Sequence, residues 1–277
     1  MRSLSTKYKC LLVVLILAAN SINAQLQLIE DSWSNAGNWF QRDSYQKSDL
    51  VFWGLGGTAV ALAFVYDLEL QSALSFNDPE LGEKWSPYME PFGNPINGGT
   101  VALALYLGGE WAGYQELSSL SSTVLQSMLT AGVTVMGLKL IFHRIRPEEQ
   151  IFLDPYQFRG PSFRNQNLSF PSGHSAMAFS IASSVSAYYE DPLYLAIPLY
   201  SLAALTAWQR VYDQKHWPSD IVMGGLIGVF VGRKIAKWQR EKDQRISLSP
   251  ALLINGQLGI GMSLKLDPIK PEWQRPF

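Results

Sequence analysis

The sequence predicts an all-α fold, a bundle of about six core helices with a small C-terminal β-hairpin. Three observations carry this expectation. The 277 residues include 22 Lys or Arg and 23 Asp or Glu, so only 16% are charged, against roughly 25% in an ordinary soluble domain. Those charges are segregated: residues 50–66, 91–109, 117–138, 165–189, 192–209 and 221–232 contain none, and uncharged runs of that length read as apolar helices with charged ends. Near the C-terminus, Leu258, Ile260, Met262, Leu264 and Leu266 alternate after Asn255-Gly256, a hairpin signature. A hydrophobic content of 47% allows a sizeable core and excludes disorder, collagen and a disulfide framework. A net charge of −1 argues against nucleic acid as a partner, which needs a basic surface.

Residues 1–24 read as a secretory signal: Arg2, Lys7 and Lys9 precede the apolar run from Leu11 to Ala19, and cleavage is expected after Ala24. An uncleaved anchor is the alternative. Cys10, the sole cysteine, precedes that run rather than following it, which disfavours lipoprotein processing and leaves a cleaved chain without thiols. Residues 25–48 form a polar, aromatic lead-in, and 49–240 the helical domain. Residues 77–98, with Pro79, Pro87, Pro91 and Pro95, are expected to be a loop, as are 147–173. Asp191-Pro192 breaks a helix after Tyr189, and the last helix is expected from about Ser219 to Trp238. The tail, 241–277, carries the hairpin.

Three polar clusters border these helices. Lys139 and Arg146 are seven apart, about two helical turns, so a continuous helix would point both along one side before Pro147 stops it. A solvated basic helix end is the plain alternative. Pro171-Ser172-Gly173-His174 opens a helix, where free N–H groups and the helix dipole favour an anion; an ordinary cap explains it equally. Arg210, His216 and Asp220 form the third, with His216 and Asp220 at i and i+4, able to touch if that stretch is helical. A carboxylate on one ring nitrogen fixes the tautomer and frees the other to attack an electrophile. Its alternative is a helix cap by Ser219 or Asp220, with His216 packed on Trp217.

In this order and spacing the clusters resemble the type 2 phosphatidic acid phosphatase family, which shares its site with the vanadium-dependent haloperoxidases. The family pattern is Lys-x6-Arg-Pro, Pro-Ser-Gly-His and Ser-Arg-x5-His-x3-Asp, and the resemblance covers about residues 50–238. Gln209 stands where the family usually has Ser, a departure at a position more peripheral than the charged residues.

The resemblance implies that Lys139, Arg146 and Arg210 neutralise phosphoryl oxygens, helped by Ser172 and the Gly173 N–H. It implies that His216 attacks phosphorus with Asp220 orienting it, and that His174 protonates the leaving oxygen. No carboxylate cluster adjoins these residues, so neither a metal nor another cofactor is expected. His143 is assigned no role and is read as a surface histidine. Two rivals are a vanadate-dependent haloperoxidase with His216 as axial ligand, and a non-catalytic envelope protein, against which the intact residue set argues.

The expected substrate is a phosphomonoester or pyrophosphate, tilted toward a lipid phosphate by the apolar helices. Trp208, Tyr212 and Trp217 could line an entrance or simply pack the core. Residues 50–66 and 192–209 have the strongest spanning character; 117–138 and 165–189 are weakened by serines. The basic residues from Arg233 to Arg245 have a cytosolic character, whereas the hairpin beyond them looks like an envelope ornament. The expectation is an exported, membrane-associated envelope protein whose site faces the periplasm.

Overall fold

A computed structural model describes residues 46–75, 79–160, 163–252 and 258–264. The signal segment with Cys10, most of the lead-in, and Asn255-Gly256 lie outside the described residues. Eight α-helices follow in order: α1 (Lys47–Val65), α2 (Asp67–Leu74), α3 (Pro79–Gly93), α4 (Pro95–Ala112), α5 (Gln115–Phe142), α6 (Gly173–Tyr188), α7 (Leu193–Tyr212) and α8 (Pro218–Arg245). The helical body is all-α. Beyond it, β1 (Ile246–Leu252) and β2 (Leu258–Leu264) pair antiparallel, Ile246 opposite Leu264.

Helix α6 is the centre, packed against α5, α7 and α8, while α1 lies on α8, α4 on α5, and α3 across α7 and α6. Gly224, Gly228 and Gly232 recur every four residues on one face of α8 and bring it against α6. A Cβ on Gly228 would stand 2.5 Å from the Ala176 carbonyl, and one on Gly232 2.0 Å from Ser183 Oγ. Close approach of this kind lets backbones pack directly, and Ser183 Oγ donates across the seam to the Gly228 carbonyl at 3.0 Å. The apolar core joins Val124, Met128, Ala131 and Val135 of α5, Ala176 and Met177 of α6, and Ile227, Val231 and Ile235 of α8.

The serines of α5 and α6 do not interrupt an apolar surface. Ser121, Ser122, Thr123, Gln126 and Ser127 are buried, whereas Leu129, Val133, Met136 and Ile141 of the same helix are exposed. The hydroxyls satisfy themselves locally, Ser127 Oγ bonding the Thr123 carbonyl at 2.7 Å. Polar groups inward and apolar groups outward suit a surrounding less polar than water. Of the stretches expected to be strongest, 50–66 falls in α1, which has the length and apolarity to cross a membrane; α5 is the other described helix that does. Residues 192–209 fall in α7, which is not among them.

The expected loop at 77–98 is instead α3 and the start of α4, with only Asn94 between them. Pro79 and Pro95 open helices, where a missing N–H costs nothing. Pro87 and Pro91 are inside α3, and tertiary contacts offset their lost hydrogen bonds: Gln209 Nε2 of α7 donates to Ser86 Oγ at 2.8 Å, and Ser86 Oγ donates to Asp213 Oδ2 at 2.7 Å. Residues 147–173 are largely irregular as expected, with single 3₁₀ turns at Pro147–Glu149 and Asn165–Asn167. Helix α8 runs past the expected Trp238 to Arg245.

Candidate active site

The helix expected to align Lys139 and Arg146 ends between them. His143 adopts a left-handed conformation (φ 49°) and its N–H bonds the Lys139 carbonyl at 3.1 Å, closing α5. Residues 144–146 then run extended, pinned on both sides. Ile145 N–H donates to Gln157 O at 3.0 Å and Arg159 N–H to His143 O at 2.9 Å; from the other flank, Arg146 N–H donates to Gln166 O at 3.0 Å and Ser169 N–H to Arg144 O at 3.0 Å. This strap, not a shared helical face, sets Arg146 relative to Lys139. His143, read as a surface residue, is buried against Gly160, where a Cβ would meet its ring at 2.2 Å.

Lys139 is buried, and its Nζ donates to the Leu168 carbonyl and, at 3.1 Å, to that of Ser169. Arg146 is braced by Asn165, through Nε to the carbonyl at 3.1 Å and Nη2 to Oδ1 at 3.0 Å. Ser172 caps α6, its Oγ accepting from Ser175 N–H at 3.4 Å. By helix geometry the first-turn N–H groups of Gly173 and His174 have no intrahelical acceptor. Ser172 N–H donates to the Asp220 carbonyl at 2.9 Å, which ties the start of α6 to the start of α8.

The Arg210-x5-His216 spacing closes a turn: the Lys215 and His216 N–H groups both donate to the Arg210 carbonyl, at 3.0 and 3.1 Å. Arg210 Nε is buried with no hydrogen-bond partner among the described residues, a donor left for a ligand. Residues 213–217 are not helical, so His216 and Asp220 meet across the start of α8 rather than along it. His216 Nδ1 faces Asp220 Oδ2 at 3.5 Å, longer than a formed hydrogen bond; such contacts tighten when a substrate is bound. Asp220 Oδ2 also accepts from Ser169 Oγ at 2.5 Å and from Trp217 N–H at 2.9 Å. Trp217 is fully buried, its Nε1 on the Ile145 carbonyl at 2.9 Å, so it braces the strap rather than an entrance. Trp208 Nε1 is likewise spent on the Leu74 carbonyl, at 3.0 Å.

Electrostatics separate the two histidines. Burial is the largest influence on His216 and, with Lys139 and Arg146, puts it well below its ordinary pKa against the pull of Asp220. The imidazole is therefore neutral at neutral pH, with Nε2 available once the Nδ1 proton faces Asp220. Burial would raise Asp220, but Arg144, His216 and Ser169 hold it well below the usual carboxylate range. Burial and Arg210 lower His174, while Glu90 raises it.

Five residues that the sequence did not single out adjoin the expected site residues. Glu90 of α3 sets Oε1 3.1 Å from His174 Nε2. Gly93 permits the approach, since a Cβ there would lie 2.8 Å from that of His174. Arg144, Asp67 and Ser169 stand behind Asp220: Arg144 Nη1 donates to Asp220 Oδ1 at 2.7 Å and Nη2 to Asp67 Oδ2 at 2.6 Å. Gln209, the departure from the family pattern, is directed at Ser86 and Asp213; it fastens α3 to α7. All eight residues expected to form the site thus gather where the starts of α6 and α8 meet the ends of α5 and α7. Three cations within electrostatic reach of two histidines of different basicity can hold a multiply charged anion, deliver a neutral nitrogen nucleophile and supply a proton.

Residues 121–244 match the PAP2 superfamily. The chain is 36% identical to the lipid A 1-phosphatase of Porphyromonas gingivalis over 66 residues, 23% of this chain and 15% of that one. It is 23% identical to the lipid A 4′-phosphatase of the same organism over 138 residues, 50% of this chain and 58% of that one. The chain therefore spans less than two thirds of either relative. Among solved structures, the transmembrane PAP2-type phosphatidylglycerolphosphate phosphatase of Bacillus subtilis matches 71% of this chain and 95% of its own, with a TM-score of 0.53 and 22% identity, so the fold is shared. Over residues 121–244, the stretch that holds all eight expected site residues, this chain is similar to the PAP2 superfamily.

Proposed function

We propose that this chain is a phosphatase that removes phosphate from a lipid phosphomonoester or pyrophosphate without a metal, through a phosphohistidine intermediate. The observation that carries this is the meeting of Lys139, Arg146 and Arg210 with a neutral, carboxylate-backed His216 at the open start of α6. In this reading the three cations and the Gly173 N–H bind the phosphoryl oxygens, Ser172 fixing that helix start. His216 Nε2 attacks phosphorus in line, and the bond to the leaving oxygen breaks as His174 gives it a proton. His174, now neutral, takes a proton from water, which attacks the phosphohistidine and releases phosphate and free His216. Asp220 holds the Nδ1 proton and stabilises the positive charge that develops on the ring.

The lipid character of the substrate is supported by the names of the relatives and by the apolar exterior of α1 and α5. We place the catalytic unit from α1 to the end of α8, wider than the matched 121–244, because α1 packs on α8 and Asp67 reaches Arg144. The β1–β2 hairpin is an appendage to it. We further propose an exported chain with the site facing the periplasm. An external site needs an even number of spans between a cleaved start and Arg146, and α1 and α5 both precede Arg146.

Purified protein is assayed with p-nitrophenyl phosphate and a detergent-dispersed lipid phosphate, with and without EDTA. Phosphate release that survives EDTA and disappears in His216→Ala supports the reading. Activity retained in His216→Ala refutes the mechanism, and bromide oxidation dependent on added vanadate refutes the phosphatase assignment. Alkaline phosphatase and fluorescent protein fusions after residues 78, 160, 191 and 245 test the topology; fluorescence at 160 refutes a periplasmic site.

A further inference from the structure

Behind the Asp220 carboxylate lies a layer of charge with no contact to the phosphoryl pocket. Arg144 is fully buried, and every face of its guanidinium is occupied. Nε donates to the Pro155 carbonyl at 2.9 Å, Nη1 to Ser219 Oγ and Asp220 Oδ1, both at 2.7 Å, and Nη2 to Asp67 Oδ2 at 2.6 Å. Its flat face lies 4.5 Å from the Phe64 ring centroid. Asp67, at the start of α2, is also fully buried and accepts from the Ser219 N–H at 2.8 Å and hydroxyl at 2.7 Å. A single cation is thus shared by two carboxylates from segments more than 150 residues apart in sequence.

Charge counting gives this layer a purpose. Were Asp220 paired with Arg144 alone, the pair would be neutral, and the imidazole in front of it would meet little net negative potential. Asp67 restores a net charge of −1 to the buried group. Arg144 also takes Asp220 Oδ1 for itself, which leaves Oδ2 for the ring nitrogen of His216. Breaking such a buried set is costly because an uncompensated charge remains, so its geometry is held firmly.

We infer that Arg144 and Asp67 are positioning residues for the nucleophile: Arg144 fixes the Asp220 carboxylate, and Asp67 cancels the Arg144 charge so that Asp220 still acts on His216 as an anion. This rests on the reading of His216 as the nucleophile. The groups that bear on its titration are Asp220, Lys139 and Arg146 in front, and Arg144 with Asp67 behind.

The test is Asp67→Asn in the full-length protein, which keeps the shape and removes the charge. The readouts are KM, kcat and the pH dependence of kcat/KM. The inference requires KM within about threefold of wild type, a kcat reduced about tenfold or more, and an acid limb moved to lower pH by about half a unit or more, because imidazolium loses an anion. Asp67→Glu, which keeps the charge, retains the wild-type acid limb. A wild-type kcat overturns the inference, as does a loss of activity equal at every pH with the acid limb unmoved, which is what a purely structural role would give. If Asp67→Asn does not fold, Ser219→Ala, which removes the hydroxyl bridging Arg144 and Asp67 but no charge, is judged by kcat alone: a reduction of about threefold or more with KM unchanged supports the inference, and a wild-type kcat overturns it. Failure of the underlying reading is separate: it shows in the wild type and His216→Ala, as turnover that does not need His216.

Discussion

Replacing Glu90 with Gln removes one charge beside the proposed general acid and little else, since Gln can still accept from His174 and Asn94. The carboxylate oxygen stands 3.1 Å from His174 Nε2. At that separation the attraction is about 1.3 kcal/mol in a dielectric like water and about 5 kcal/mol at an effective value of 20. Glu90 has a side-chain exposure of 38% and His174 of 23%, so solvent screening places the pair at the lower end, about 1 kcal/mol. That corresponds to about 0.7 of a pH unit. The sign follows from the charge: an anion favours imidazolium, so its removal lowers the His174 pKa further, in the direction already set by burial and Arg210. The alkaline limb of kcat/KM, which reports loss of the acid's proton, should move to lower pH by about 0.7 of a unit. Well above that limb the rate should fall about fivefold, and on the acid side it should barely change. The assay is phosphate release from an alkyl phosphate, whose leaving oxygen needs the proton, across pH for wild type and Glu90→Gln. An unmoved alkaline limb, or one that moves to higher pH, refutes the coupling.

Two further substitutions test how the site is held. Gly224→Ala places a Cβ 2.3 Å from the Ser172 carbonyl, backbone that must yield, so the start of α6 shifts and kcat/KM should drop by about 100-fold; a near-wild-type value contradicts the close packing of α6 on α8. Trp217→Ala empties a fully buried site and strands the Ile145 carbonyl, which should cost about 3–5 kcal/mol of stability, read as a lowered thermal unfolding midpoint in detergent. An unchanged midpoint would mean that Trp217 does not brace the strap.

The helical character of the chain and the residues of its candidate anion pocket were legible because both rest on local pattern. Uncharged runs of this length mostly become helices, and a Gly-His step after Pro-Ser starts a helix with free N–H groups. What stayed hidden depends on packing. Pro87 and Pro91 argued for a loop, but Gln209 and Ser86 tie α3 to α7, and that contact outweighs local propensity. Lys139 and Arg146 were expected along one helix face, but His143 ends α5 and an extended strap takes over. The serines of α5 read as breaks in an apolar surface because a sequence does not show which way a helix face points; they are buried, and the exposed face is apolar. Asp67, Glu90 and Arg144 carry no motif of their own. Only the fold brings Asp67 to Arg144 and Glu90 to His174, although Arg144, two residues before Arg146 in a short polar strap, was the one nearest to being visible.

In the proposed mechanism His216 carries the phosphoryl group during turnover. Rapid quenching of the wild-type protein with a 32P-labelled substrate, followed by peptide mapping, tests it most directly. The expected label is stable in alkali, labile in acid, mapped to His216 and missing from His216→Ala. A label on any other residue, or turnover without a phosphoenzyme that His216→Ala still performs, would contradict it.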